Sequence, residues 1–251
     1  MTVKDIYLFL DEIAPFSTAA DWDNSGLQLG GFNTEVSKVL LCLDVTEYEL
    51  LLARKLGAQL IVSHHPLIFH PLHQIENDSL YARLLCADIS VISAHTNLDK
   101  APGGVNDSLC NALGLPFQKI SSPTADGFLN LCDLPEHYLP NSFALLLKSR
   151  LHAAVKYYNT ERQITKVGVC SGGGADFIRD ASLLGCDAYL TGEATYHDFL
   201  SADRLGVTLF CAGHFETETV FSSYLCTSLS ERFPSVLFVV SDRKNPLKTV
   251  I

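Results

Sequence analysis

The chain has 251 residues, of which 47% are hydrophobic and 18% charged, a composition typical of a globular protein with a sizeable core. Its formal net charge is -10 at pH 7, and such an acidic surface repels phosphate backbones. The first residues lack a secretory signal, and no apolar run is long enough to span a membrane. We therefore expect a cytoplasmic protein that neither enters a membrane nor binds nucleic acid.

Short apolar runs alternate along the chain with amphipathic segments of helix length. Such runs are typical of strands buried on both faces, and the segments between them repeat apolar residues at three and four positions. The predicted elements in chain order are strand 38–44, helix 47–56, strand 59–63, helix 77–87, strand 89–94, strand 166–171, helix 175–185, strand 187–191, helix 194–205 and strand 207–212. This alternation predicts mainly parallel α/β sheets, which bind ligands beyond the carboxyl ends of their strands.

Two parts of the chain resemble each other at a constant spacing. The segment Lys38-Val-Leu-Leu-Cys-Leu-Asp44 matches Lys166-Val-Gly-Val-Cys-Ser-Gly172, and 56–63 matches 184–191, in both cases with an offset of 128 positions. Because the offset is the same on both sides of a helix-length segment, we interpret the two parts as copies of one α/β unit. The alternative is that the similarity reflects only the general pattern of strand–helix–strand units.

The stretch 114–142 holds four prolines and few periodic runs, which makes it the candidate connection between the copies. We predict a first α/β unit over residues 1–124 and a second over 125–251, and the two halves either follow one another or interlock. The expected sheets are mainly parallel or mixed, and the expected site lies in the cleft between the units.

Two adjacent histidines, His64 and His65, directly follow predicted strand 59–63 in a loop that Pro66 stiffens. At a strand end the backbone can turn, so each imidazole can face a different ion. Imidazole is the commonest metal-binding side chain near neutral pH. The alternative is a purely structural pair, because a lone His-His is a weak signal.

A histidine followed four residues later by a carboxylate occurs after two other predicted strands. His95 with Asp99 and His214 with Glu218 match each other at an offset of 119. On a helix such positions share one face, and the two oxygens of Glu218 can bridge two cations. Alternatively, Asp99 caps a turn and Glu218 is a solvated acid that complements the helix dipole.

These histidines and acids all follow strands, so an α/β sheet would place them on the same rim. Even three of these histidines with the two carboxylates exceed the needs of one closed tetrahedral zinc and suit two ions with open water positions. Two such ions can activate water and polarise the bond under attack, which favours hydrolytic chemistry.

Several motifs occur over almost the whole chain in the order expected for one known family. They are Trp22-Asp-Asn-Ser-Gly-Leu-Gln-Leu-Gly30, Ser63-His-His-Pro-Leu67, His95-Thr-Asn-Leu-Asp99 with Gly103-Gly-Val-Asn-Asp107, Ser171-Gly-Gly-Gly174, Leu190-Thr-Gly-Glu193, and Gly213-His214 through Glu218. On these motifs the sequence resembles the YbgI-like, or Nif-three-like, family of dinuclear metal proteins, which are type 2 GTP cyclohydrolase I homologues. It is similar to the compact members, which lack the family's long inserted middle domain.

The resemblance implies metal ligands at His64, His65, Asp99, His214 and Glu218, with Glu218 shared by two divalent ions per chain. It also implies a two-part α/β fold with a dinuclear metal site and assembly into a ring-like homohexamer. The metal stays open among Zn, Fe, Mn and Ni, because imidazole and carboxylate suit all four.

Two further residues are predicted to be catalytic. His95 matches a family residue close to the metals, which we interpret as a proton carrier or as a support for the ligands. Glu193 occupies the position equivalent to His65 and is the candidate general base; the alternative is an acid at a helix N-terminus. Many relatives follow this glutamate with paired histidines, whereas here only His197 follows, which weakens the case for a ligand-binding loop.

Substrate-binding residues are predicted at Asn24, Ser171, Gly172 and Gly173. The glycine run 171–174 joins a strand to a helix, so its N–H groups could hold a phosphate; the alternative is a tight glycine turn. Asn24 either lines the cleft or caps a turn. Trp22 is interpreted as a core anchor and is assigned no function.

The predicted function is metal-dependent hydrolysis of a small substrate, and the family resemblance suggests a nucleotide such as GTP, whose purine ring activated water would open. One alternative is a non-catalytic metal-binding scaffold or metallochaperone, which a saturated coordination sphere without water would favour. A nucleic-acid clamp is a second alternative, and it needs a basic lining, from residues such as Arg54, Lys55 and Arg179, to offset the acidic charge.

Overall fold

The computed structural model describes residues 1–120, 126–158 and 161–247. The strands are β1 (Gly26–Leu29), β2 (Lys38–Cys42), β3 (Leu60–Ser63), β4 (Ser90–Ser93), β5 (Gln118–Ile120), β6 (Leu129–Tyr138), β7 (Lys156–Tyr157), β8 (Ile164–Val169), β9 (Ala188–Thr191), β10 (Thr208–Cys211) and β11 (Leu237–Val240). The helices are α1 (Val3–Ile13), α2 (Glu47–Leu56), α3 (Leu80–Cys86), α4 (Thr96–Lys100), α5 (Val105–Leu113), α6 (Pro140–Leu151), α7 (Ile178–Leu183), α8 (Tyr196–Arg204), α9 (His214–Glu218) and α10 (Phe221–Arg232). Within these residues, no helix is both long and apolar enough to cross a membrane.

The chain forms two compact units that are interlocked in sequence. Unit 1 contains Met1–Gly104 together with Ser222–Lys244, and unit 2 contains Val105–Phe221 together with the segment that starts at Asn245. Most of α10 and all of β11 therefore belong to unit 1, although they follow every strand of unit 2. Helix α5, which follows α4 of unit 1 in the chain, belongs to unit 2.

The predicted division into residues 1–124 and 125–251 stays a prediction. Its boundary falls within 121–125, which lie outside the described residues. The compact units themselves change at Gly104, ahead of that boundary.

The sheet of unit 1 has the strand order β1-β4-β3-β2-β11. Strands β11, β2, β3 and β4 run parallel, and β1 pairs antiparallel with β4. One core cluster joins the strand residues Leu40, Ile61 and Val91 to Leu50 of α2 and Leu84 of α3. The central strands β3 and β4 are buried along their whole length, and their carboxyl ends are neighbours at one edge of the sheet.

The sheet of unit 2 has the order β5-β6-β8-β9-β10-β7. Its central strands β8, β9 and β10 run parallel, and the flanking strands pair antiparallel with them or with each other. Two core clusters pack in this unit, one containing Phe143 and Phe210 and the other containing Tyr189 and Leu209. The prediction of two similar α/β units with mainly parallel or mixed sheets is confirmed.

The parallel cores of the two units repeat one order of elements. The series β2-α2-β3-α3-β4-α4-α5 is followed later in the chain by β8-α7-β9-α8-β10-α9-α10. Individual hydrogen bonds repeat as well. Lys38 Nζ donates to the Leu56 carbonyl at 2.8 Å, and 128 positions later Lys166 Nζ donates to the Leu184 carbonyl at 2.9 Å.

The described residues of 114–142, the candidate connection between the copies, include β5, β6 and the start of α6. Pro135 lies inside β6, where the pairing with β8 shifts between Asp133 and Tyr138. Proline lacks an N–H donor, so strands tolerate it only at such irregular or edge positions. Pro140 is the first residue of α6, where a missing N–H costs nothing.

Candidate metal-binding site

His64 and His65 extend directly from the carboxyl end of β3. Their N–H groups donate to the carbonyls of Cys42 (3.1 Å) and Leu43 (2.9 Å), so the pairing between β2 and β3 continues through both histidines. The sheet therefore fixes the backbone of the pair. His64 is fully buried, whereas 25% of the His65 side chain is exposed.

Three imidazoles of unit 1 share one arrangement, in which Nδ1 faces a carbonyl or carboxylate oxygen. The partners are the Ala94 carbonyl for His64 at 2.9 Å, Asp44 Oδ1 for His65 at 2.7 Å and Asp23 Oδ1 for His95 at 2.9 Å. Because these oxygens accept, each Nδ1 carries the proton, which in a neutral ring puts the lone pair on Nε2. Metal-binding histidines are oriented in this way by an acceptor behind the ring.

The same three rings form a cluster at the carboxyl ends of β3 and β4. The His64 ring centroid lies 5.2 Å from that of His65 and 5.1 Å from that of His95, and the latter two are 5.6 Å apart. One ligand nitrogen from each ring lies within 4.8 Å of the others. Asp99, on α4, places Oδ1 3.5 Å from His64 Nε2. Unit 1 thus brings predicted ligands together with His95 in a cluster that could hold a metal ion.

Asp23 connects this cluster to the loop before β1. Its carboxylate accepts hydrogen bonds from His95, from Thr96 Oγ1 at 2.5 Å and from the Ser25 hydroxyl at 2.8 Å. Burial raises the pKa of Asp23, but the hydrogen bonds from these side chains outweigh burial and hold the pKa well below its usual value. The charged carboxylate favours a His95 ring that donates from Nδ1.

In unit 2, helix α9 begins at His214 and ends at Glu218. His214 Nε2 lies 2.9 Å from Glu218 Oε2, as expected for positions on one helix face, and Nδ1 lies 3.3 Å from Glu193 Oε2. Glu218 is 4% exposed, whereas 63% of the Glu193 side chain is exposed. A buried carboxylate beside an imidazole is a donor pair suited to a cation, and the exposed Glu193 can exchange protons with solvent.

Gly172 determines how the acids of unit 2 are placed. Its carbonyl accepts hydrogen bonds from the N–H groups of Gly192 and Glu193, both at 2.9 Å. Its φ is +56°, and a Cβ added there would collide with the carboxylate of Glu218. The position therefore requires glycine on both conformational and steric grounds.

The N–H groups of the glycine run, for which the sequence predicts a phosphate-binding role, bond within unit 2. Ser171 N–H donates to Asn106 Oδ1 at 2.7 Å, Gly172 N–H to Thr217 Oγ1 at 3.1 Å and Gly174 N–H to Thr191 Oγ1 at 3.0 Å. These contacts support the alternative of a tight structural turn. Gly173 is exposed, and substrate binding by Ser171, Gly172 and Gly173 stays a prediction.

In the loop before β1, the exposure of Trp22 differs from the prediction. Trp22 is 62% exposed, so the expectation of a core anchor is wrong. Its ring centroid lies 6.0 Å from that of His95. Asn24 is also exposed, and its Nδ2 donates to the Ile68 carbonyl at 2.6 Å, which links this loop to the one that follows His65.

Asp23 and Asp44 orient two of the histidines, yet no periodic pattern points to either acid. Asp44 ends predicted strand 38–44 and therefore lies on the same rim as the histidine pair, a signal that could have found it. Asp23 stands in the motif that starts at Trp22, where its neighbours resemble ordinary turn residues.

Each unit therefore carries histidine and carboxylate side chains directly after its parallel strands. Fold and side chains together define a two-unit α/β protein whose unit 1 carries a histidine cluster that could hold a metal ion. The sequence identifies the family within this class. The chain belongs to the Duf34/NIF3 family (NGG1p interacting factor 3), whose profile matches residues 1–246.

Individual relatives agree with this assignment. A protein from Clostridium perfringens named GTP cyclohydrolase 1 type 2 homolog is 33% identical over 262 residues, with 100% of both chains covered. The crystal structure of a hypothetical protein from Staphylococcus aureus is similar with a TM-score of 0.93 and 27% identity, over 100% of this chain and 99% of that chain. Protein ybgI, described as of unknown function, has a TM-score of 0.87 and 25% identity, over 98% and 100% of the two chains. The predicted resemblance to YbgI-like and Nif-three-like proteins is confirmed.

Proposed function

We propose that this protein binds two divalent metal ions per chain through His64, His65, Asp99, His214 and Glu218 and uses them to hydrolyse a small substrate. The observation that carries the proposal is the shared orientation of the three clustered imidazoles of unit 1, each with Nδ1 facing an acceptor oxygen. All three have Nδ1–H directed at an oxygen, so all three keep the lone pair on Nε2.

The chemistry of the donors fits this proposal. Imidazole nitrogen and carboxylate oxygen suit Zn, Fe, Mn and Ni. The carboxylate of Asp44 behind His65 makes the ring a stronger donor, as is usual for metal-binding histidines. In unit 2 the buried carboxylate of Glu218 lies 2.9 Å from His214 Nε2, so the two side chains can act on one cation. The second carboxylate oxygen of Glu218 can bind a second cation.

When bound, divalent ions supply Lewis acidity and lower the pKa of coordinated water. The chain's own residues then have to bind the substrate and move protons. His95, whose ring is held by Asp23, is placed to carry a proton at Nε2. Glu193 lies beside His214 and is mostly exposed, so it can act as a general base that exchanges its proton with solvent.

The proposed substrate is a nucleotide whose purine ring is opened by water, as the name of the Clostridium perfringens relative suggests for that protein. This chemistry requires water activated against an electrophilic ring carbon. We also propose a ring-like homohexamer, which a mass measurement in solution would test. A mass of a single chain at working concentration would contradict it.

The first experiment is elemental analysis of the untagged protein, followed by a hydrolysis screen that starts with GTP. We expect about two ions per chain and turnover that chelation abolishes. Full occupancy without turnover on any nucleotide would favour a metal-binding scaffold or metallochaperone. Failure to bind Zn, Mn or Fe even when each is supplied would overturn the proposal.

A further inference from the structure

Two large aromatic side chains of unit 1 are exposed side by side. Trp22 is 62% exposed and Phe69 is 45% exposed, and their ring centroids lie 6.0 Å apart at an interplanar angle of 49°. Folding normally buries most of such rings, so an exposed pair in contact is informative in a way that a single exposed ring is not. We call these two residues the aromatic pair.

The aromatic pair borders the histidine cluster. The Trp22 ring meets His95 edge-to-face at 6.0 Å and 75°. The His95 ring in turn lies 5.1 Å from that of His64 and 5.6 Å from that of His65. A planar ligand that covers Trp22 would therefore be held beside the imidazoles of the candidate metal-binding site.

The residue after Trp22 fixes its segment to the cluster. Asp23 accepts hydrogen bonds from His95 Nδ1 at 2.9 Å and from the N–H of Thr96 at 3.1 Å. The N–H of Ala20, on the other side of Trp22, donates to Thr96 Oγ1 at 2.9 Å. The segment is thus anchored on both sides of the tryptophan, and the Trp22 ring itself contacts Phe69 and His95.

Phe69 is fixed by the same loop. The Asn24 side chain donates to the Ile68 carbonyl at 2.6 Å, and the Ile68 N–H donates to Gln28 Oε1 at 3.1 Å. Both polar groups of the residue before Phe69 are therefore bonded to the segment that carries Trp22. Asn24, which the sequence predicts to bind substrate, acts here as a positioning residue for the aromatic pair.

We propose that the aromatic pair binds the planar heteroaromatic ring of the substrate, in the nucleobase class, beside the histidine cluster. Aromatic side chains stack on bases of any sequence because every base has a π-face. A net charge of -10 gives the chain without metal little general attraction for phosphate, whereas stacking on exposed rings does not depend on charge. The choice of ligand rests on the proposed function, but the binding itself does not require metal.

The chain offers a direct readout, because Trp22 is its one tryptophan. Its fluorescence, excited at the red edge where guanosine does not absorb, would be followed during titration of the full chain in chelator. Guanosine tests the ring alone, and ribose 5-phosphate tests the sugar phosphate alone. We expect saturable quenching by guanosine and none by ribose 5-phosphate.

Phe69→Ala keeps the fluorophore and removes half of the aromatic pair, and we expect roughly tenfold weaker guanosine binding. Phe32→Ala is the matched control, because Phe32 is 40% exposed in the same unit but packs against Tyr7 instead. It should bind guanosine like the original chain. Circular dichroism would show that both variants are folded.

The outcomes separate this proposal from the proposed function. Guanosine binding without any metal uptake would support the aromatic pair and remove the metal-dependent hydrolase. Two ions per chain without saturable quenching by guanosine would support metal binding and overturn the proposal for the aromatic pair. Equal guanosine affinity of Phe69→Ala and the original chain would overturn the inference. So would emission that responds to protein concentration but not to guanosine, which would make the pair a contact between chains.

Discussion

Gln59 and Asp187 lie 128 positions apart and make the same hydrogen bonds in the two units. Gln59 Oε1 accepts from the N–H groups of Ser37 (2.9 Å) and Lys38 (3.1 Å) at the start of β2. Asp187 Oδ2 accepts from the corresponding pair at β8, at 2.9 and 3.0 Å. The Gln59 amide and the Asp187 carboxylate thus accept equivalent hydrogen bonds. This indicates that the start of each strand needs an oxygen acceptor more than it needs a negative charge.

We expect Asp187→Ala to lower the free energy of unfolding by about 1–3 kcal/mol, because it leaves half-buried N–H donors of Thr165 and Lys166 without their acceptor. Asp187→Asn keeps an acceptor oxygen, as Gln59 does, and should cost clearly less. Urea denaturation measures both. Equal losses in the two variants would mean that the charge, and not the acceptor, is what unit 2 requires.

Glu218→Gln should lose at least one metal ion per chain, because a neutral amide cannot bridge two cations. Elemental analysis after dialysis provides the count. Glu216→Gln is the matched control on the same helix, since Glu216 Oε1 is engaged by Asn245 Nδ2 at 2.8 Å. Full occupancy in Glu218→Gln would contradict the assignment of a shared ligand.

Gly172→Ala should reduce both metal content and stability, because the added Cβ displaces the Glu218 carboxylate and the residue has a φ of +56°. Conformational strain alone costs about 1 kcal/mol or more. Gly173→Ala is the control in the same loop, since a Cβ there meets nothing within 4 Å. The comparison uses thermal unfolding and metal analysis. Similar behaviour of the two variants would show that the loop tolerates displacement of the acid.

His95→Ala should keep both ions and lower hydrolysis by roughly 10²- to 10⁴-fold, the usual contribution of a positioned proton carrier. His197→Ala, an exposed histidine of α8, is the control for loss of an imidazole elsewhere. Rates and metal content should be measured on the same preparations. Because the structure clusters His95 with His64 and His65, loss of both ions in His95→Ala would reassign it as a ligand.

Metal loading should stabilise the fold. With free metal at about 100 times its Kd, each bound ion should raise the free energy of unfolding by about 2.7 kcal/mol relative to chelated protein. Chemical denaturation with and without chelator measures this difference. Glu218→Gln should show a smaller rise, and an unchanged midpoint in the original chain would show that its donors do not bind metal in the folded state.

The central strands could be predicted because they are continuous apolar runs. The sequence predicts strand β3 at 59–63, and the structure has it at Leu60–Ser63; helix α2 is both predicted and observed over 47–56. The edge strands β1 and β7 are short and only partly buried, so they leave no comparable run. The assignment of α5 to unit 2 and of β11 to unit 1 depends on long-range packing, which no local sequence pattern contains.

The grouping of His64, His65 and His95 could be predicted because β3 and β4 are parallel neighbours, which places residues after both strands on one edge. The position of Asp23, whose carboxylate faces the His95 ring, could not be predicted in this way. Asp23 reaches His95 from a loop before an antiparallel edge strand, and loop paths are set by packing rather than by sequence periodicity.

The pairing of β11 with β2 joins Leu237 to Lys38, and about 200 residues of chain lie between the two strands. During translation the second edge of β2 therefore stays uncovered until β11, about 200 residues further along the chain, has left the ribosome. Until then an apolar strand edge, residues Val39 to Cys42, is open to pairing with other chains. Loop closure over such a distance also slows folding. The nascent protein is thus prone to aggregate until β11 is made, and over that interval a holding chaperone would help.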